Sequence, residues 1–267
     1  MKLVHHFGVV EQVRLPRAGR RRFGVPDGGA FDVNSLRLAN AATGNADDTV
    51  GFELSMASAD FLVERSGWLA IVGAAAKVLV AGQEGDSNSV SPVQVGDRIT
   101  VHAPSNGCRT YVQWGLTGRP GRLPAFQLLT EILVTPGPDF SLRSWDVPLA
   151  ARISRTLNRV GVRSEPIIAL SHQLEVLSRP HVTGSIQVTP AGELIFIGPD
   201  GPVTGGYPQP WVVARTSLPV LGQATPGTEI GIKIISPDDA RSRWHEEESH
   251  LSERLRELRL GSHAHGQ

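Results

Sequence analysis

One cysteine, Cys108, stands among 267 residues, so neither an intrachain disulfide nor a metal site built on several thiolates is available. A lone thiol of this kind packs as a small hydrophobe. Lysine is almost as scarce: of 26 basic residues only Lys2, Lys77 and Lys233 carry an ammonium, and the rest are arginines. The 26 acidic residues balance them, which leaves no global field for nucleic acid or an anionic membrane as partner. The most apolar stretch, Trp68 to Ala81, is too short to span a bilayer and contains Lys77. Met1 to Val10 is too short for a signal peptide and carries His5 and His6, so a cytoplasmic location is expected. Three common signatures are also missing: the Gly-Lys-Ser/Thr phosphate loop, the His-Glu-x-x-His helix and the Gly-x-Ser-x-Gly elbow. Glu246 and His250 stand four apart, but a solvated helix face accounts for them, and no metal site is expected.

What is present is turn chemistry and short apolar runs. The 29 glycines and 19 prolines separate segments of strand length. Phe61–Glu64, Leu69–Val72, Lys77–Val80, Ile99–His102 and Thr110–Trp114 form a first series. Glu131–Val134, Ile167–Leu170, Ile186–Val188, Glu193–Ile197, Trp211–Val213 and Glu229–Ile235 form a second. This spacing points to barrels or sandwiches rather than βαβ units. Asp32 or Asn34 can cap a helix running through Ala42 and ended by Gly44-Asn45. Gly115 to Pro124 reads as a connection, giving a mainly β chain with domains at 1–120 and 125–236. A charged helix follows over 237–260, with Trp244, Leu251, Leu255 and Leu258 on one face. The tail 261–267 is expected to be disordered.

Three segments carry more polarity and glycine than packing requires. Gly24 to Asp32 is a glycine cluster that can bring backbone amides close to a ligand or to another strand, with Asp32 just beyond. In Asn158-Arg-Val-Gly-Val-Arg163, an extended backbone places Arg159 and Arg163 on one side, where two guanidiniums suit a carboxylate or phosphate. A structural salt bridge is the competing reading. Gly184-Ser-Ile-Gln-Val188 precedes Thr204-Gly-Gly-Tyr207, whose amides, hydroxyl and ring can shape a small-molecule pocket; a tight hairpin turn competes with that reading. The candidate site is therefore Asn158, Arg159, Arg163, Thr204, Gly205, Gly206 and Tyr207 for substrate, with Gln187 and Asp32 as catalytic groups, Asp32 being the nearest base. The run Arg14, Arg17, Arg20, Arg21, Arg22 has no aromatic neighbour beyond Phe23 and reads as a solvated or interface loop.

In this order the motifs resemble the allophanate hydrolase subunit 2 family, whose members include the C-type subunit of 5-oxoprolinase and which is similar to the carboxyltransferase domain of urea carboxylase. The matching residues are Gly24 to Asp32, Ala39-Asn40, Gly44-Asn45, Pro136-Gly137-Pro138, Asn158 to Arg163, Gly184 to Val188, Thr204 to Pro208, Gln223 and Pro226-Gly227. The resemblance spans about residues 2 to 235. It implies a pair of cyclophilin-like β-barrel domains and a partner of the allophanate hydrolase subunit 1 type. It also implies a substrate that is a small carboxylate or amide, with ATP consumed by the complex rather than held by this chain as a cofactor. In that setting 5-oxoproline is opened to glutamate; in the urea carboxylase setting a carboxyl group passes from carboxybiotin to urea. Related members instead antagonise an inhibitor of a histidine kinase, and a non-catalytic scaffold is a third reading. The chain departs from the family at Val13-Arg14 and at Pro202-Val203, and is shortened between Gly115 and Glu131.

Overall fold

A computed structural model describes residues 1–142, 145, 150–167 and 176–263. The chain divides into two compact units: Met1–Leu15, Asp32–Leu128 and Ser249–Gln267 make the first, and Pro16–Phe31 with Leu129–Glu248 the second. The sequence reading kept 1–120 together. The contacts instead place Pro16–Phe31 with the second unit, because that strap hydrogen-bonds to residues between His181 and Asp200.

The first unit contains β1 (Lys2–Val13), α1 (Val33–Ala42), β2 (Gly51–Leu62), β3 (Gly67–Ala75), β4 (Val78–Val80) and β5 (Gln83–Gly85). It continues with β6 (Ser89–Val93), β7 (Arg98–Val101), β8 (Asn106–Gly115) and β9 (Gly121–Arg122). They form one nine-stranded sheet in the order β5-β4-β7-β2-β8-β3-β6-β9, with β1 paired to β2. Along the second half of β2 burial alternates with period two, so Ala57, Ala59 and Phe61 face the core beside Ile71, Ile99 and Val112. The helix starts where sequence places it. Asp32 Oδ1 accepts the Ser35 amide at 3.1 Å and Oδ2 its hydroxyl at 2.7 Å, a side-chain cap on the first turn. Its far end is fastened by amides: Asn40 Nδ2 donates to the carbonyls of Asp47 and Thr49, and Asn45 Nδ2 to that of Trp114. Gly44 admits no side chain, since a Cβ there would lie 1.8 Å from Thr117 Oγ1. The Ala-Asn and Gly-Asn pairs thus hold a loop in place.

The second unit contains β10 (Glu131–Pro136), β11 (Ala150–Leu157), β12 (Gly161–Ser164), β13 (Arg179–Pro180), β14 (Ser185–Val188), β15 (Leu194–Ile197), β16 (Thr204–Gly205) and β17 (Trp211–Val213). It ends with α2 (Leu218–Gln223), β18 (Glu229–Ile234) and α3 (Pro237–His263). Seven strands close a barrel in the order β10-β17-β14-β15-β12-β11-β18, sealed by a parallel pairing of β10 with β18. Ile132, Val162, Ile186, Phe196, Trp211 and Ile230 fill it, and Trp145 meets Trp211 edge-on at 5.8 Å. A separate two-stranded ribbon pairs β13 with β16. The mainly β fold of two domains with a C-terminal helix is the one sequence predicts; the second unit closes as a barrel, while the described strands of the first form a sheet without a closing ladder.

The helix α3 continues through His263, beyond the end at 260 read from sequence. On it Leu255 is buried and Leu258 packs on the first unit's Ala39 and Ala42 cluster, while Trp244 stacks under Arg215 in the second. Residues 168–170 of the strand expected at Ile167–Leu170, and residues 264–267 of the tail, lie outside the described residues. Among the described residues no helix is long and apolar enough to cross a membrane.

Candidate functional site

Strand alternation builds the site. Val162, Ile186, Val188, Leu194 and Phe196 point into the barrel, so their neighbours Gly161, Arg163, Gln187, Ile195 and Ile197 face outward on three adjacent strands. Pairing sets them side by side: Gly161 opposes Ile197, Arg163 opposes Ile195, and Gln187 opposes Ile195 from the other flank. The β13–β16 ribbon and the turn through Tyr207 contribute His181, Pro202, Thr204, Gly205, Gly206 and Tyr207 to the same space. Together they line a cavity of about 530 Å³.

Seven residues singled out from sequence line this cavity: Asn158, Arg163, Gln187, Thr204, Gly205, Gly206 and Tyr207. Two do not. Arg159 was expected to share a face with Arg163, but β12 begins only at Gly161. Asn158 Oδ1 accepts the amides of Val160 and Gly161, and this turn breaks the parity on which the expectation stood. The Arg159 guanidinium is directed instead to both oxygens of Asp200, at 2.7 and 3.1 Å, and to the carbonyl of Gly29 at 2.6 Å. It is the structural salt bridge of the competing reading. Asp32 belongs to the first unit, where its carboxylate caps α1 as described, and it is absent from the lining.

His181 is the residue that sequence reasoning missed. It is buried, and its Nε2 lies 3.2 Å from Gln187 Nε2; with that amide donating, the ring nitrogen is the acceptor and the imidazole is neutral. Burial lowers its pKa from the ordinary value of 6.5, while hydrogen bonding of the ring to the backbone carbonyls of Gly205 and Pro202 opposes the shift and the charge of Arg21 adds to it. Gly205 is glycine for steric reasons: a Cβ would stand 2.5 Å from the imidazole Cε1, 2.6 Å from Nε2 and 3.0 Å from Gln187 Nε2. At the cavity wall, Arg163 NH1 donates to Glu193 Oε2 at 3.3 Å and stays partly exposed, so its remaining donors can reach a ligand carboxylate. The arrangement offers a guanidinium, an amide and a neutral imidazole to one small molecule. Among the described residues no group of three His, Cys, Asp or Glu stands close enough to hold a metal ion.

The family model for the carboxyltransferase domain, subdomain A and B, matches residues 23–116 and 130–233. The chain belongs to that family. It is 26% identical over 276 residues to the C-type subunit of 5-oxoprolinase from Escherichia coli (strain K12), covering 84% of this chain and 87% of the relative. It is 24% identical to urea amidolyase of Saccharomyces cerevisiae over 85% of this chain but only 16% of the yeast protein. The solved structure of Kluyveromyces lactis urea carboxylase superposes with a TM-score of 0.81 at 22% identity, covering 93% of this chain and 28% of that one. That likeness concerns the fold.

Proposed function

We propose that this chain is the C-type subunit of a 5-oxoprolinase-like complex, and that the cavity on the outer face of β12, β14 and β15 takes a small amide bearing a carboxylate. The observation that carries the reading is the juxtaposition of Arg163, Gln187 and a neutral His181 in one cavity. A carboxylate suits the guanidinium, and the amide suits Gln187 and the Thr204–Gly206 turn. His181, unprotonated at neutral pH, has its Nε2 lone pair engaged by Gln187, and a ligand that draws the Gln187 amide to itself would free that nitrogen to accept a proton from water, which makes it a better base here than Asp32. Two relatives named as this 5-oxoprolinase component match over 87% and 92% of their lengths, which supports assigning the same kind of subunit. ATP is assigned to the complex and not to this chain, whose sequence has no Gly-Lys-Ser/Thr loop.

The test is co-expression with an allophanate hydrolase subunit 1 type protein. The expected result is co-purification, with ATP-dependent release of glutamate from 5-oxoproline once the complex is complete. Separate elution at micromolar concentrations and no heat of mixing would sink it. One observation favours a second reading: Pro202, which lines the cavity, stands where the family has glutamine, so that wall loses a donor and an acceptor. A complex that forms but neither binds nor turns over 5-oxoproline would move the regulatory role ahead.

A further inference from the structure

Of the five arginines from Arg14 to Arg22, the structure turns one inward. Arg14, Arg17, Arg20 and Arg22 are exposed, whereas Arg21, on the short 3₁₀ turn Arg21–Phe23, is largely covered. Its Nε donates to the backbone carbonyl of His181 at 2.9 Å, and its NH1 to Asp27 Oδ2 at 2.9 Å. The same Asp27 oxygen accepts the Thr183 hydroxyl at 3.1 Å. One planar fork therefore grips His181 directly and, through a carboxylate, the residue two positions later. The strap bearing this clamp is itself fixed, since the Arg17 amide donates to the carbonyl of Asp27 and the Gly28 amide to that of Pro199. On the other side Arg179, two residues before His181, pairs with the buried Asp139 at 2.8 Å. The ribbon that carries the imidazole makes no ladder with the barrel among the described residues; the Gly184 amide, donating to the carbonyl of Ile197, ties its end to β15, and side-chain ties of this kind add to that hold.

We propose that Arg21 is a positioning residue of the cavity, holding the backbone at His181 so that the imidazole stays against Gln187 and Gly205. The inference rests on reading that cavity as the ligand site, yet the clamp is measurable without any ligand. The ring is faced by Gln187 from β14, by the backbone of Pro202 and Gly205, and by Arg21 from the strap. The ion pairs Arg179–Asp139 and Arg163–Glu193 complete the charged groups of the ribbon and the cavity wall. Among these, the Arg21 cation resists a second positive charge on the ring, which adds to the effect of burial.

The experiment is NMR titration of the full chain, with the His181 ring signals assigned by their loss in His181→Gln. In Arg21→Gln the His181 midpoint moves up and its ring shifts change. In Arg22→Gln, whose guanidinium only stacks on Phe23, both stay where they are. Arg21→Lys keeps the charge and loses the fork, so the midpoint remains near wild type while the ring shifts move. Should Arg21→Gln fail to fold, Thr183→Val removes only the outer hydroxyl of the clamp and is expected to shift the same signals by less. His181 signals and midpoint unchanged in Arg21→Gln, or in Thr183→Val where that is the folded variant, overturn the proposal. Titrating 5-oxoproline into the same samples separates the two readings, because a wild type that binds nothing removes the ligand and leaves the clamp to be judged on the ring signals.

Discussion

In the first unit Glu53, Arg109 and Tyr111 are at most 1% exposed and bond to one another; in the second, His181 and Gln187, at 3% and 5%, bond to each other and also line a cavity. Glu53 and Tyr111 are direct cross-strand partners on β2 and β8, and the Tyr111 hydroxyl donates to Glu53 Oε2 at 2.7 Å. Arg109 Nε donates to Glu53 Oε1 at 3.2 Å, and the amide of Asp32 donates to the Tyr111 oxygen at 2.8 Å. Cys108 lies against Arg109 as a buried thiol whose pKa burial pushes up, so it stays protonated. This network is turned in on itself and stitches the start of α1 to the sheet. The polar groups of the second unit have spare hydrogen-bonding capacity and space in front of them. Burial of a polar residue therefore marks structure where its partners surround it, and a site where they leave one side open.

The sharpest way to break the comparison is to cut the closed network. Arg109→Met leaves the Glu53 carboxylate buried without its cation, at a cost of about 3–5 kcal/mol of stability. Tyr111→Phe removes one hydrogen bond from a buried carboxylate and costs about 1–3 kcal/mol. Both are read by urea denaturation, and the cavity of the second unit is expected to keep its ligand affinity wherever the variant is folded. A variant as stable as wild type would show that the pair contributes little.

Next in size is Gly205→Ala. The added methyl group collides with the His181 ring and with Gln187, which overpacks the cavity wall by about 1–3 kcal/mol. Ligand binding should be abolished while the first unit is untouched. Retained affinity for 5-oxoproline would mean that the molecule binds elsewhere.

The contrast between the units also explains what was legible beforehand. Runs that alternate or fill a barrel are legible: Thr110–Trp114, Ile186–Val188 and Trp211–Val213 are strands, and Ile99–His102 falls on β7, which ends one residue earlier at Val101. The strand β1 is not, because most of it is exposed and polar and apolar residues do not alternate along it. Asn40, Gly44 and Asn45 were visible as a motif, but only geometry reveals that they fasten a loop. Arg159 misled through parity, since the Asn158 turn that breaks the strand is a local hydrogen-bond effect that spacing does not carry. His181 left no signal at all. It stands alone in sequence, and it reaches the cavity through a ribbon pairing of Arg179 with Gly205, a long-range contact that periodicity cannot report.

A smaller effect sharpens the open side of the comparison. Arg163→Ala removes one charge-assisted bond to a ligand carboxylate, which corresponds to about tenfold weaker binding or more. Arg163→Lys restores the charge without the fork and should recover part of the loss. Calorimetric titration of 5-oxoproline into the complex reads both. Equal affinity in wild type and Arg163→Ala would remove that arginine from the site.

The smallest expected effect is a pH dependence confined to the second unit. His181 has a folded pKa below its ordinary value of 6.5, chiefly because burial disfavours the imidazolium. Below about pH 6.5 the unfolded chain therefore takes up a proton at this residue that the folded chain still refuses. Stability contributed by the neutral ring is present above that pH, falls as the solution is acidified, and levels off once the folded ring also titrates. Protonation of the folded ring would take away the acceptor that Gln187 uses, so ligand affinity should fall at the acid end of that range. Denaturation midpoints measured from pH 8 to pH 5 are expected to slope downward in wild type, with part of that slope lost in His181→Gln. Arg21→Gln should leave that onset in place but raise the pH at which the loss levels off, so that the total loss shrinks, because the cation that opposes ring protonation in the folded state is gone. An identical slope in wild type and His181→Gln would assign the acid sensitivity to other groups and leave the imidazole a packed spectator.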